Sequence, residues 1–177
     1  MDIVSELLGE HSRRQAARIV RWIGVDRRRF RALMDLFLRG EYRVAQRSAM
    51  AVGICAERHP ELLRPYLKRM IDRMEEPGVH VAVRRAAIRS LQTADIPPAL
   101  MGRVADVCIR TIAAHDSAIA LRACAMTVAA RIAAREPDLG RELRLVIEQQ
   151  LPYASPGVRA RAARVLAGLP GNSPRGV

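Results

Sequence analysis

Few side chains in this 177-residue chain are suited to proton, metal or thiol chemistry: four histidines, His11, His59, His80 and His115, and three cysteines, Cys55, Cys108 and Cys124. No cysteine stands in a Cys-x-x-Cys pair or beside a histidine at metal-ligand spacing, so all three read as reduced, small core residues. Each histidine falls near a predicted helix boundary in a different stretch of chain. His59 precedes a proline and His115 precedes Asp116, so capping, or a favourable charge at a helix C-terminus, accounts for them better than general-base or ligand work. No catalytic residue, cofactor site or metal site is expected.

The remaining chemistry is arginine. Net charge is +12, and of 30 basic residues only Lys68 is a lysine. Residues 1–76 carry 16 basic and 11 acidic groups, and residues 77–177 carry 14 and 7, so the excess is spread and forms no basic tail. Aromatics make up 3% of a chain that is 50% hydrophobic and rich in alanine and leucine, a composition that favours closely packed helices over a sheet. No apolar run approaches the roughly 20 residues of a membrane-spanning helix, and Met1-Asp2 lacks the order of a signal peptide. A cytoplasmic protein with no membrane partner is expected.

What positions the arginines is an internal repeat. Ala45-Gln46-Arg47-Ser48-Ala49-Met50 returns as Val83-Arg84-Arg85-Ala86-Ala87-Ile88, as Leu121-Arg122-Ala123-Cys124-Ala125-Met126 and as Val158-Arg159-Ala160-Arg161-Ala162-Ala163. One column is all alanine (Ala49, Ala87, Ala125, Ala162), the next is apolar (Met50, Ile88, Met126, Ala163), and the second reads Gln46, Arg84, Arg122, Arg159. A column of alanines lets neighbouring helices approach closely, each unit hiding the apolar flank of the one before.

A second amphipathic helix follows each of the first three windows, read from Leu63, Leu67, Met70 and Met74, from Met101, Val104, Val107 and Cys108, and from Leu139, Leu143, Val146 and Ile147. Prolines punctuate the units at Pro60, Pro77, Pro97-Pro98, Pro137 and Pro156. Asp116-Ser117 is the expected N-cap of the third window's helix, and Ser12-Arg13-Arg14-Gln15 has the form of a capping box opening helices over 12–23 and 27–39. Pro65 sits inside the helix that Pro60 would open, so either the first turn is separate or the helix bends.

Paired helices every 37 to 38 residues, each opening on an apolar residue and arginine followed by small residues, resemble HEAT repeats. The fold expected is an all-α, right-handed α-α superhelix of roughly four helix pairs, one domain over 1–169. Its repeats would span 12–40, 42–76, 79–115 and 117–151, with a capping helix at 156–168 and a flexible tail at 170–177. More narrowly, Tyr42-Arg43-Val44-Ala45-Gln46-Arg47, His59-Pro60-Glu61-Leu62, Pro77-Gly78-Val79-His80 and Gln150-Leu151-Pro152-Tyr153 resemble a group of small bacterial HEAT-like proteins, some of which carry the name adenylosuccinate lyase. The residues do not support that name: the lyases need a serine-rich loop with a catalytic serine and lysine, and here Lys68 stands alone with no Ser-Ser pair. Nor do His-Glu pairs occur of the kind HEAT-type iron hydroxylases use. HEAT-like alkylated-base glycosylases use several groove aromatics with a carboxylate, whereas the single tryptophan, Trp22, falls on the apolar side of its helix near Ile19 and Ile23.

The resemblance further implies that the first helix of each pair is convex and that the second lines a concave, partner-binding side. Projected at 100° per residue, Arg64, Lys68, Arg69, Asp72 and Arg73 fall opposite the apolar stripe of the first full repeat. Their equivalents are Ala105, Asp106, Ile109 and Arg110, then Arg144, Leu145, Glu148 and Gln149. The candidate groove is therefore Arg64, Lys68, Arg69, Arg73, Ile109, Arg110, Arg144 and Leu145, with Arg27, Arg28 and Arg31 adding to its basic end. Arg43, Arg47, Arg58, Arg85, Arg131 and Arg135 fall on first-type helices, where a solvated charged face explains them. The column arginines Arg84, Arg122 and Arg159 are read as inward-bonding links between repeats, the role the resemblance gives that position. The expected function is non-catalytic: a scaffold holding another macromolecule, a protein segment, or alternatively nucleic acid without sequence specificity.

Overall fold

The computed structural model describes residues 1–169, so the expected tail at 170–177 lies outside the described residues. These form ten α-helices and two 3-10 segments, with no strand among them. In order they are α1 (Ile3–Gly9), α2 (Arg13–Ile23), α3 (Arg27–Arg39), α4 (Tyr42–Arg58), a 3-10 segment (Pro60–Tyr66), α5 (Leu67–Glu75), α6 (Val81–Ser90), α7 (Pro98–Ala113), α8 (Ile119–Ala133), α9 (Pro137–Gln150), a 3-10 turn (Leu151–Tyr153) and α10 (Pro156–Gly168). They cluster into two compact units that meet in sequence at Ile96 and Pro97.

Local chemistry sets most boundaries. Ser12 Oγ accepts from the Gln15 amide to open α2, and Asp26 accepts from the Arg28 and Arg29 amides to open α3. Gly24 ends α2 at a φ of 51°, a left-handed value that suits glycine. The Gln15 side chain does not complete the expected capping box: its amide nitrogen donates instead to the Glu6 carbonyl, 2.8 Å away. Prolines in the first turn open α7, α9 and α10, where a missing N–H costs nothing.

Two boundaries differ from expectation. Helix α8 starts at Ile119 with Ala118 as its cap residue and no side-chain cap bond, so Asp116-Ser117 is not its N-cap. Those two residues lie in the preceding turn, closed by Ser117 N–H donating to the Ala114 carbonyl at 3.2 Å. Pro65 resolves into the separate-turn alternative: residues 60–66 form their own 3-10 segment and α5 begins only at Leu67.

Within the first unit, α2, α4 and α6 lie in one row, and α3, the 3-10 segment and α5 form a second row against it. Phe30, Leu33, Met34 and Phe37 of α3 are fully buried, as are Leu63, Leu67, Met70 and Ile71. Each such side chain contributes roughly 1.5–3 kcal/mol on leaving water. Helix α1 packs on α2 and α4. In the second unit, α8 and α10 make the first row and α7 and α9 the second. The alanine column is buried throughout, at 5% exposure for Ala49 and 0% for Ala87, Ala125 and Ala162. The apolar column beside it thins out at the end, where Ala163 is exposed.

Candidate interaction surface

In the first unit the outward face of the second row is basic but internally compensated. Lys68 is exposed and pairs with Asp72 at 3.1 Å. Arg69 reaches Asp35 of α3 at 3.4 Å, the same carboxylate that Arg31 approaches at 3.8 Å. Arg73, half-buried, pairs with Glu76. Arg64 is exposed on the 3-10 segment, and among the described residues it has no ion-pair partner. Exposed pairs of this kind are worth about 0–1 kcal/mol each, so they trim the free charge of the face more than they stabilise it.

Beside this face, a cleft of about 470 Å³ opens between the start of α3 and the 3-10 segment. Arg27, Arg28, Arg31 and Arg64 line it over a floor that includes Phe30, Leu62 and Pro65, with Tyr66 and Glu61 completing the wall. Tyr66 packs edge-on against Phe30 with ring centroids 5.6 Å apart. Burial, reinforced by Asp35 nearby, pushes its phenol pKa up.

In the second unit the equivalent face is mixed. Leu145 is 60% exposed, Ile109 is half-buried and Arg110 pairs with Asp106 at 2.9 Å. Ala105, projected outward, is in fact buried, at 4% exposure, and lines a groove. Arg144 is half-buried, 3.8 Å from Glu148 and donating to the Leu166 carbonyl of α10 at 3.4 Å. A groove of about 500 Å³ lies here, floored by Met101, Ala105, Ile109, Ile132 and Leu139 and rimmed by Asp106, Glu136 and Glu142.

Rows of paired amphipathic helices with buried alanine columns agree with what comparison with known families finds: residues 3–169 match the HEAT repeat domain. The chain belongs to the HEAT repeat family. No curated protein and no solved structure matches it. Membership makes it a helical repeat scaffold of a kind that is typically non-catalytic and commonly mediates interactions. No helix among the described residues is long and apolar enough to cross a membrane.

In this HEAT repeat protein the column arginines do different things. Arg84 of α6 donates to the Glu76 carbonyl at the end of α5, 3.2 Å away. Arg122 of α8 is only 5% exposed and donates to Gln150 Oε1 of α9 at 3.1 Å, so its partner is a neutral amide within the same helix pair. Arg159 is exposed and lines a concavity with Leu151, Pro152 and Leu166. Arg47, projected onto a solvated face, is half-buried instead: it donates to the Leu7 and Leu8 carbonyls and clasps the end of α1.

The histidines sit at helix ends. His80 Nδ1 accepts from the Ala82 amide as the cap of α6, and His59 closes α4 within 3.5 Å of Glu61. His115 meets Tyr153 edge-on. Trp22 is half-buried, with the Arg29 guanidinium 4.9 Å above its ring, and so is a surface platform more than a core residue. Burial pushes the Cys55 and Cys108 thiols up to about 12. Sequence reasoning missed α1, the cleft beside Phe30, and the exposed apolar residues that open first-row helices: Tyr42 and Val81 in the first unit, Ile119 in the second. Their spacing of 38 to 39 residues was a signal in plain view.

Proposed function

We propose that this protein is a non-catalytic scaffold whose second-row helix faces, taken unit by unit, hold segments of another protein that carry acidic and apolar side chains. In the first unit Arg64, Lys68, Arg69 and Arg73 would meet the acidic residues. In the second, Ile109, Leu145 and the groove beside them would take apolar ones, with Arg110 and Arg144 at the edge. The observation carrying this reading is Leu145, 60% exposed on the second-row face of the second unit: an exposed apolar side chain offers what a nucleic-acid backbone cannot use. Lys68, Arg69 and Arg73 are each paired with a carboxylate of the same unit, which lowers the free charge offered to any anionic partner. The net charge of +12 favours the alternative, sequence-nonspecific nucleic acid.

The test is the affinity of an acidic amphipathic peptide, read by fluorescence anisotropy, for the wild type and two variants. Replacing Arg64, Lys68, Arg69 and Arg73 together by glutamine weakens binding through the charged half, and Leu145→Ser weakens it through the apolar half. Loss on the fourfold change with no effect of Leu145→Ser would leave a purely electrostatic surface and count against a protein segment.

A further inference from the structure

We infer that the cleft between the start of α3 and the 3-10 segment binds a phosphate monoester, carried as a phosphoserine or phosphothreonine on the bound protein segment. This rests on the reading of the second-row face as a protein-binding surface. Four guanidiniums line one cleft of about 470 Å³. Arg27, Arg28 and Arg64 have no ion-pair partner among the described residues, and Arg31 only shares Asp35 with Arg69. Arg27 and Arg28 each stand one turn from Arg31, an arrangement of like charges that is unfavourable on a helix. Three successive arginines, Arg27, Arg28 and Arg29, also fill the first turn of α3, the end where the helix dipole disfavours cations.

Of these, Arg29 alone is otherwise engaged: it lies over Trp22, donates to the Trp22 carbonyl at 2.6 Å and pairs with Asp26 at 3.4 Å. The α3 amides nearest its start are taken by Asp26, so side chains and not the helix terminus would hold an anion. The single carboxylate in the lining, Glu61, lies against His59 Nδ1 at 3.5 Å. One carboxylate ligand would neutralise one guanidinium. A phosphate monoester, with a charge of about −1.5 to −2 and three acceptor oxygens, matches several arginines at once and accepts bidentate bonds from them. The apolar floor of Phe30, Leu62 and Pro65 limits the water that would otherwise screen those bonds.

The experiment compares one acidic amphipathic peptide in three forms, with serine, aspartate or phosphoserine at a central position, against the wild type and an Arg27→Gln/Arg28→Gln double variant. Both substituted residues are exposed and stand at the basic end of the face, so the readout is the preference among the three peptides and not the affinity for any one of them. The expected result is that phosphoserine binds the wild type at least tenfold more tightly than serine or aspartate. The double variant should bind the three peptides alike, whatever its affinity for the serine form, and millimolar inorganic phosphate should compete only with the phosphopeptide. Equal binding of the three peptides, or a preference that survives in the double variant, overturns the cleft assignment and leaves the scaffold reading standing. If the phosphopeptide binds and the serine peptide does not, the cleft stands and the broader face fails. Failure of all three peptides removes both. An eight-nucleotide oligothymidylate that binds the wild type more tightly than the phosphopeptide, and is lost in the double variant, would assign the cleft to a phosphodiester instead.

Discussion

Gln150→Leu isolates what holds the buried arginine of α8. Arg122 is 5% exposed, one of its two terminal nitrogens, Nη2, donates to Gln150 Oε1 at 3.1 Å, and its Nε has no partner among the described residues. Leucine keeps the bulk of Gln150 but removes the acceptor, so a charged donor is left desolvated. A hydrogen bond to a charged group is worth about 1.5–3 kcal/mol, and more when its loss orphans a buried charge. For a chain of this size each kcal/mol moves the midpoint by about 2–4 °C, so a Tm lowered by about 3–12 °C is expected in thermal unfolding followed by circular dichroism. Gln150→Glu is the matched control. Its carboxylate would sit against the guanidinium with a folded pKa below its unfolded one. The added stability is then present above the unfolded pKa and is lost as pH falls through the folded value. At neutral pH this variant should melt no lower than the wild type. An unchanged Tm in Gln150→Leu would refute the reasoning, since it would mean that water already solvates Arg122.

The alanine column gives a second expectation: Ala87→Leu or Ala125→Leu, each at a position with no exposure, should cost about 1–3 kcal/mol by overpacking, read as a lowered denaturant midpoint. Thiol labelling of the native protein should modify half-buried Cys124 well before Cys55 and Cys108, whose burial disfavours the thiolate; equal rates for all three would contradict the packing. Glu6 binds Arg18 and Gln15 across α1 and α2, and these bonds hold its carboxyl below the usual range. Its stabilising effect is present above its unfolded pKa and fades as pH falls through the folded one. Amide-exchange protection in α1, taken relative to the intrinsic rate at each pH, should therefore fall in acid, and Glu6→Gln should abolish that dependence.

The fold was legible because its strongest signal is periodic. The columns through Ala49, Ala87, Ala125 and Ala162 fix which helix faces meet, and burial of all four follows from side-chain size alone. What sequence could not supply were the events of single contacts. Helix α1, seven residues long, has too short a pattern to read, and it is held by Arg47, Gln15 and Arg18 reaching back to it from later helices. The start of α8 slipped two residues because a turn closed by Ser117 used the polar residues that would otherwise cap the helix. At the candidate surface the exposed positions of Lys68 and Leu145 agree with projection at 100° per residue, whereas Arg64 is exposed on a 3-10 segment to which that projection does not apply. That projection says nothing of ion pairs between helices, so the sharing of Asp35 by Arg31 and Arg69 appears only in three dimensions. The cleft was invisible for a related reason: its walls come from residues 27–31 and 61–66, brought together by a 3-10 segment whose form Pro60 and Pro65 left open.

The most direct test of the scaffold reading is a salt titration of two ligands side by side, an acidic amphipathic peptide and an unspecific DNA duplex. If apolar anchors and a few desolvated arginines dominate, peptide affinity changes little through physiological salt. Duplex binding is then weak and gone by about 0.2 M, where the screening length is only some 7 Å. Submicromolar duplex binding that survives 0.2 M salt, with log affinity falling steeply against log salt and the slope flattened in the fourfold glutamine variant of Arg64, Lys68, Arg69 and Arg73, would contradict it and make the surface a nucleic-acid interface.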